Sequence, residues 1–296
     1  MKILVFGSFN IDKVYSLPHL PERGETLYCG GYEIHVGGKG LNQALAFSKA
    51  GADVSVGGKI GKDGRFLTDY LQKFGIDTGD IDHTGEFTGH TIIETDPDGQ
   101  NQMILFGGAN REITHEFCDK LLSKYSDTDL ILTQFETSCV EYMLERAHSM
   151  GIKTALNPSP YVDEIKNLEF GKADILILNE FEGKSIAGGD TDEETVKALY
   201  DLGSKEIILT LGSRGAVYYN GSEYVKCPAF SVRAVDTTGA GDTFTGYCLY
   251  ELLKGENPLK AMMTGCAASA LEVTKHGAAE TIPDREAVEK FLKENG

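Results

Sequence analysis

The chain has 296 residues and carries 28 Lys and Arg against 45 Asp and Glu, a formal charge of −17. That balance argues against a nucleic-acid or anionic-membrane partner, each of which favours a basic face. Apolar residues at 41% and charged residues at 25% describe an ordinary globular chain, not a disordered one. The length suits one large α/β domain with an insertion, or two average domains. The unusual count is 35 glycines, well above the average usage of about 7%. With 8 Pro and no Trp, the glycine is not low-complexity filler. It points to special turns and close backbone approaches. The six cysteines show no C-x-x-C or zinc-site spacing. The first apolar run, Ile3 to Phe6, is too short for a signal-peptide core. No run approaches the roughly 18 residues of a membrane span. A reduced, cytoplasmic protein is the expectation.

Along the chain, short apolar runs alternate with helical periodicity. Residues 3–7 read as a buried strand, 41–50 as a helix ended by Gly51, 54–60 as a strand, and 63–74 as a helix with Phe66, Leu67, Tyr70, Leu71 and Phe74 at 3–4 spacing. Strand, helix and strand follow at 130–135, 140–150 and 154–156, then strand, helix and strand at 174–179, 193–202 and 207–211. Helices complete the chain at 241–253, 259–273 and 284–292. This alternation predicts a parallel sheet covered on both faces, with ligands beyond the carboxyl ends of its strands. Two segments break the rhythm. Residues 12–36 hold Pro18, Pro21 and Gly24 and then alternate over 26–35. Residues 86–106 hold two strand-like runs around Asp96-Pro97-Asp98-Gly99, a hairpin signal. Together they predict a small antiparallel sheet beside one continuous domain spanning 1–296.

Four segments carry chemistry. After the first strand, Asn10 and Asp12 fall on one side, an amide and a carboxylate suited to sugar hydroxyls, although by themselves they read more readily as an Asx turn closing the strand. Gly37-Gly38-Lys39-Gly40-Leu41-Asn42-Gln43 opens a helix. It is no Walker A loop, because Glu33 stands where that motif needs Gly and Gly40 replaces its Ser/Thr. Gly38, Lys39 and Asn42 offer close approach and donors to a ligand, or form a plain glycine turn. Asn179 and Glu182 after one strand, and Thr210, Gly212, Ser213 and Gly215 after the next, can line a nucleotide and its metal or serve as caps and turns.

Asp236-Thr237-Thr238-Gly239-Ala240-Gly241-Asp242 is the sharpest segment. Gly239, Ala240 and Gly241 allow backbone N–H groups to close around an oxyanion at a helix N-terminus. A carboxylate there would repel phosphate unless it takes a proton from the attacking hydroxyl. Anion hole and adjacent base are the minimum for phosphoryl transfer to an alcohol. The plainer reading of Asp242 is a helix cap.

These segments together resemble the ribokinase-like family of sugar kinases, also called the PfkB carbohydrate kinases. The likeness rests on GSFNID at 7–12, PERGET at 21–26, GGKGLNQA at 37–44, GGAN at 107–110, LTQFE at 132–136, LNPSP at 156–160, LNEFE at 178–182, TLGSRG at 210–215 and DTTGAGDTF at 236–244, in the family's order and spacing. Within the family it is strongest toward the members that act on D-ribose. The resemblance implies a three-layer α/β/α sandwich with a mainly parallel central sheet and a small β-sheet lid formed at about 12–36 and 86–106. It implies ATP-dependent phosphorylation of a terminal hydroxymethyl, with Asp242 as base and Gly239, Ala240 and Gly241 stabilising the transferring group. Asn10, Asp12, Gly38, Lys39, Asn42 and Glu136 would hold the sugar. Asn179, Glu182, Thr210, Gly212, Ser213, Gly215 and Gly241 would belong to the Mg2+·ATP site, with Cys266 at the adenine. A monovalent cation, K+, would sit at Asp236, Thr238, Glu272, Lys275, Gly277 and Thr281, largely through backbone carbonyls. The lid implies a homodimer in which lids pair. Two alternatives stay open. One is another acceptor, a nucleoside such as pseudouridine or a ketohexose. The other is a sensor without catalysis, which would have no need of the base.

Overall fold

Successive residues of a strand face opposite sides of its sheet, so a strand covered on both sides is apolar throughout. The first strand shows this directly. Ile3 and Val5 join one hydrophobic cluster, while Leu4 and Phe6 join another across the sheet. The computed structural model describes residues 1–295; Gly296, the last residue of the expected domain, lies outside them. In chain order its strands are β1 (Lys2–Phe6), β2 (Asn10–Ser16), β3 (Gly31–Gly37), β4 (Asp53–Gly61), β5 (Asp77–Gly85), β6 (Gly89–Thr95), β7 (Asn101–Phe106), β8 (Leu130–Gln134), β9 (Thr154–Asn157), β10 (Ile175–Asn179), β11 (Glu206–Thr210), β12 (Ala216–Tyr219) and β13 (Tyr224–Cys227). The helices are α1 (Lys39–Ala50), α2 (Arg65–Gln72), α3 (His115–Lys124), α4 (Val140–Ser149), α5 (Glu180–Ala187), α6 (Asp192–Asp201), α7 (Ala240–Leu253), α8 (Pro258–Glu272) and α9 (Arg285–Asn295).

Nine strands form the main sheet in the order β13-β12-β11-β10-β9-β8-β1-β4-β5. Pairing is parallel from β5 to β11, and at the edge β12 is reversed, pairing antiparallel with both β11 and β13. Residues of α1, α2, α7, α8 and α9 pack on one face against Ile3, Val5, Leu132 and Ile177. Helices α3 and α4 cover the other face at Leu4, Phe6 and Ile131, and α5 and α6 cover it at Leu176, Leu178 and Leu209. This is the α/β/α sandwich expected from the alternation.

The small sheet has the order β3-β2-β6-β7. Its strands come from the two irregular segments, with one correction. Each segment forms an antiparallel pair, but β2 and β6 join them in parallel. The reason is that two separate insertions enter the sheet in the same direction, and only the pairs within an insertion reverse. The strand expected over 26–35 begins at Gly31, because its partner β2 ends at Ser16, opposite Gly31. Strands β12 and β13 and helices α3 and α5 escaped the sequence reading, and so did β5. Its sequence, DTGDIDHTG, is turn-like in composition, and it survives as a charged edge strand.

Helix α7 is buried almost all round, lying between α1 and α8. Gly246 lets α1 approach, since a Cβ there would lie 2.5 Å from the Cβ of Ala46. This close crossing brings the first turns of α1 and α7 together at the carboxyl edge of the sheet.

Candidate active site

Where α1 meets α7, polar side chains replace apolar ones. Asp242, in the first turn of α7, is buried, and each of its oxygens is answered from α1. Asn42 Nδ2 donates to Oδ2 at 3.1 Å and Gln43 Nε2 donates to Oδ1 at 2.8 Å. Gln43 is itself fixed, because Gln134 Nε2 donates to its Oε1 at 2.6 Å and its own Nε2 also reaches Asn157 Oδ1 at 3.1 Å. Asn157 in turn donates to the Ile177 carbonyl at 2.8 Å. Strand ends β8, β9 and β10 thus orient the carboxylate through amides. Asn42 was expected here. Gln43, Gln134 and Asn157 were not, although they stand in the GGKGLNQA, LTQFE and LNPSP segments. Their signal was a polar residue in a run whose neighbours are core.

The loop before α7 forms the anion cradle. Gly239 caps the helix with φ 84°, a left-handed conformation that favours glycine. A Cβ on it would also lie 2.8 Å from Glu272 Oε1, whereas nothing stands within 4 Å of one on Gly241. Gly241 therefore faces open space, with the N-terminal end of a 14-residue helix behind it. A cavity of about 220 Å3 opens at this point, lined by Lys39, Asn179, Glu182, Thr210, Gly241 and Asp242. Burial pulls the Lys39 ammonium down, but the carboxylates of Asp242, Glu136 and Glu182 outweigh it and hold the group above its ordinary value.

The residues expected to hold the sugar gather beside it. Glu136 accepts the Ser8 hydroxyl and the Lys39 backbone N–H, the latter at 3.3 Å. Burial pushes the Glu136 carboxyl up, against the pull of Lys39 and Ser8. Asn10 Oδ1 accepts from Asn110 Nδ2 at 2.8 Å, and Asn110 Oδ1 takes the Phe9 N–H at 3.0 Å. Asn10, Asn110, Arg111 and Glu136 line a second cavity of about 230 Å3. Asp12 is two residues further along β2, in the small sheet. Burial pushes its carboxyl up to about 6, with Glu136 and Glu280 adding to the shift and Thr91 and His35 opposing it. Gly38 precedes α1 at φ 95°.

On the nucleotide side, Asn179 and Glu182 form a complete capping box for α5, with bonds of 2.9 and 2.8 Å. They also line the cavity at Asp242, so the cap and the ligand reading coexist. Gly212 and Ser213 are exposed at the end of β11. Gly215 has a packing reason of its own, since a Cβ there would lie 2.0 Å from the Cys227 carbonyl. Cys266 is buried in α8 against the thiol of Cys227 and does not line the cavity around Asp242.

The residues expected around a cation occupy two loops that Asp236 ties together. Its Oδ1 takes the Thr238 N–H at 2.9 Å and its Oδ2 the Gly277 N–H at 3.0 Å. Burial raises the Asp236 carboxyl, and those two N–H groups, with the Thr238 hydroxyl and His276, bring it below its ordinary value. Thr281 donates its hydroxyl to the Gly277 and Ala278 carbonyls at 2.9 and 2.8 Å. Lys275 is exposed and meets the site through its backbone, which donates to the Glu272 carbonyl at 3.0 Å. Glu272 is fully buried, and neither of its oxygens has a hydrogen-bond partner. Burial pushes its carboxyl up to about 8 against the pull of the Thr243 hydroxyl, and the charges of Asp242 and Asp236 add to the rise. Orphaned buried carboxylate oxygens suit a cation.

A profile of the pfkB family carbohydrate kinases matches residues 1–285. The chain is 35% identical to a ribokinase of Haemophilus influenzae over 98% of each chain. A crystal structure of the ribokinase of Thermotoga maritima superposes with a TM-score of 0.89 at 36% identity, covering 98% of this chain and 99% of that one. A ribokinase of Arabidopsis thaliana in complex with ribose and ATP superposes with a TM-score of 0.87 at 28% identity, covering 98% of both.

Proposed function

The chain belongs to the pfkB family of carbohydrate kinases, and from that premise we propose that it transfers the terminal phosphoryl group of ATP to the terminal hydroxymethyl of D-ribose, giving ribose 5-phosphate. The observation that carries this reading is the Asp242 carboxylate, braced by Asn42 and Gln43 and facing the cavity that Lys39, Asn179 and Thr210 share. A base fixed from behind presents its free lone pairs to a hydroxyl in front. The ribokinase relatives support ribose as acceptor, and the Arabidopsis complex supports ATP as donor.

In this mechanism Asn10, Asp12, Gly38, Lys39, Asn42 and Glu136 hold the sugar, and Asp242 takes the hydroxyl proton as the oxygen attacks. The N–H groups of Gly239, Ala240 and Gly241 and the α7 N-terminus meet the charge on the transferring group. Lys39 stays cationic among its carboxylates and adds to that field. Thr210, Gly212, Ser213, Gly215 and Cys266 belong to the nucleotide side. Mg2+, when bound with the nucleotide, neutralises phosphate charge, and Glu182 is the carboxylate here that can reach its waters. Asn179 keeps Glu182 in place.

The small sheet at 12–36 and 86–106 is the lid of the single domain, and its closure excludes water from the site. Tyr32, Ile34, Met103, Ile104 and Phe106 are each about half exposed on it, which supports a homodimer in which two lids cover one another. K+ at the loops of Asp236, Thr238, Glu272, Lys275, Gly277 and Thr281 steadies the anion cradle. Six free cysteines are consistent with a reducing, cytoplasmic setting. No helix among the described residues is long and apolar enough to cross a membrane.

The test is ADP release over ribose, deoxyribose, fructose and nucleosides, with and without K+. Ribose is expected to give the highest kcat/KM. Equal turnover with and without ribose would refute the reading, and a higher value for a nucleoside would move the acceptor.

A further inference from the structure

Glu272 is a fully buried carboxylate that the reaction described above does not use. It ends α8 at the seam of the two loops that Asp236 ties together, where its Oε1 would lie 2.8 Å from a Cβ placed on Gly239. Among the described residues it has no ion-pair partner and no hydrogen bond of good geometry; the neutral Thr243 hydroxyl is the one donor close enough to favour its ionised form, and it offsets only part of the burial. The charges in its neighbourhood make this worse. Asp242 and Asp236 bear on it with like sign, while Lys49, which opposes them, is bonded to the Ile282 carbonyl and lies 3.5 Å from Asp284. Asp236 cannot relieve it, because two backbone N–H groups hold its carboxyl ionised and it has no proton to donate. The Lys275 side chain is exposed. An uncompensated buried carboxylate costs several kcal/mol, and folded proteins answer such groups with a cation or a proton.

We infer that the Glu272 side chain is itself a ligand of the monovalent cation in these loops, beside whatever the backbone carbonyls and Asp236 supply. The inference rests on reading the loops as a cation site. With Asp236 and Asp242 close by, the surplus charge here is negative, which favours a bound cation. The ion would bridge the end of α8 to the loop that carries Gly239, and Glu272 would act on catalysis as a positioning residue, through the cradle it steadies.

The test is thermal unfolding of the whole protein and of Glu272→Gln in KCl, with tetramethylammonium chloride replacing it at fixed ionic strength. The wild type is expected to gain stability with KCl and to saturate. In Glu272→Gln the KCl concentration at half-effect should rise about tenfold or more, while in tetramethylammonium the variant should be at least as stable as the wild type. That crossing is what a merely structural side chain would not produce. An unchanged half-effect concentration in the variant overturns the carboxylate ligand and leaves the carbonyl site standing. A wild type that does not distinguish K+ from tetramethylammonium overturns both. If the variant does not fold, anomalous scattering from Tl+ in wild-type crystals decides. A peak in direct contact with a Glu272 oxygen supports the inference, and one held by carbonyls only overturns it.

Discussion

Two buried carboxylates stand on neighbouring helices and are treated in opposite ways. Asp242, in the first turn of α7, has an amide donor on each oxygen, and one of these, Gln43, is held in turn by Gln134 and Asn157 at the ends of β8 and β9. Glu272, the last residue of α8, has no hydrogen bond of good geometry on either oxygen. The first arrangement fixes a group in place using only this chain, as a base that must meet a hydroxyl requires. The second leaves bonding capacity for something that arrives from outside. Gly239 lies between them, carrying the cradle on one side and touching Glu272 on the other.

The largest expected effect breaks the first half of that contrast. Asp242→Asn keeps the shape but cannot accept the proton, so kcat should fall about 100- to 10,000-fold with sugar affinity largely kept. Steady-state kinetics with calorimetric binding of ribose would show it, and turnover within a few-fold of wild type would remove Asp242 as the base. Gln43→Ala sharpens the contrast by taking away one brace. Losing one hydrogen bond to a buried charge costs about 1–3 kcal/mol, so kcat/KM should drop about 10- to 100-fold. No drop would mean that Asn42 alone orients the carboxylate.

Gly239→Ala tests the residue between the two. The left-handed backbone penalises a side chain by about 1–2 kcal/mol, and the new methyl presses on Glu272. A lowered Tm together with reduced turnover is expected. An unchanged Tm would show that the loop tolerates a side chain at this turn.

The smallest effect concerns Asp12, whose carboxyl burial pushes up to about 6. The ionised form accepts sugar hydroxyls, so KM for ribose should rise as pH falls through 6. Asp12→Asn should have a raised KM and a flatter profile. The stability sign is the reverse. Since the folded-state pKa lies above the ordinary carboxylate value, ionised Asp12 costs stability above pH 6, and that cost fades as the pH falls. A wild-type KM that stays flat between pH 5 and 7 would separate Asp12 from sugar binding.

Much of this architecture is legible before folding. Continuous apolar strands such as ILVF and ILIL, set between amphipathic helices, specify a sheet covered on both faces. The two segments that break the rhythm do form the second sheet. What periodicity could not supply was β5, whose acidic, glycine-rich sequence forms a strand only because β4 offers it an edge. The parallel joint of β2 and β6 was equally hidden, since strand direction depends on how separate insertions return to the same place.

The candidate site divides along the same line. Asp242 and the glycines before it are local: a carboxylate, small residues and a helix start lie within one heptapeptide, so their chemistry can be read from sequence. The amide chain from Gln134 through Gln43 to Asp242 joins residues far apart in sequence, and no spacing rule connects them. Glu272 is the sharper case. In sequence it is one more acid in a chain of charge −17. Only the packing of α8 against the loop at Gly239 removes it from water and leaves it without a partner, because burial and hydrogen-bond supply belong to the assembled core and not to the residue.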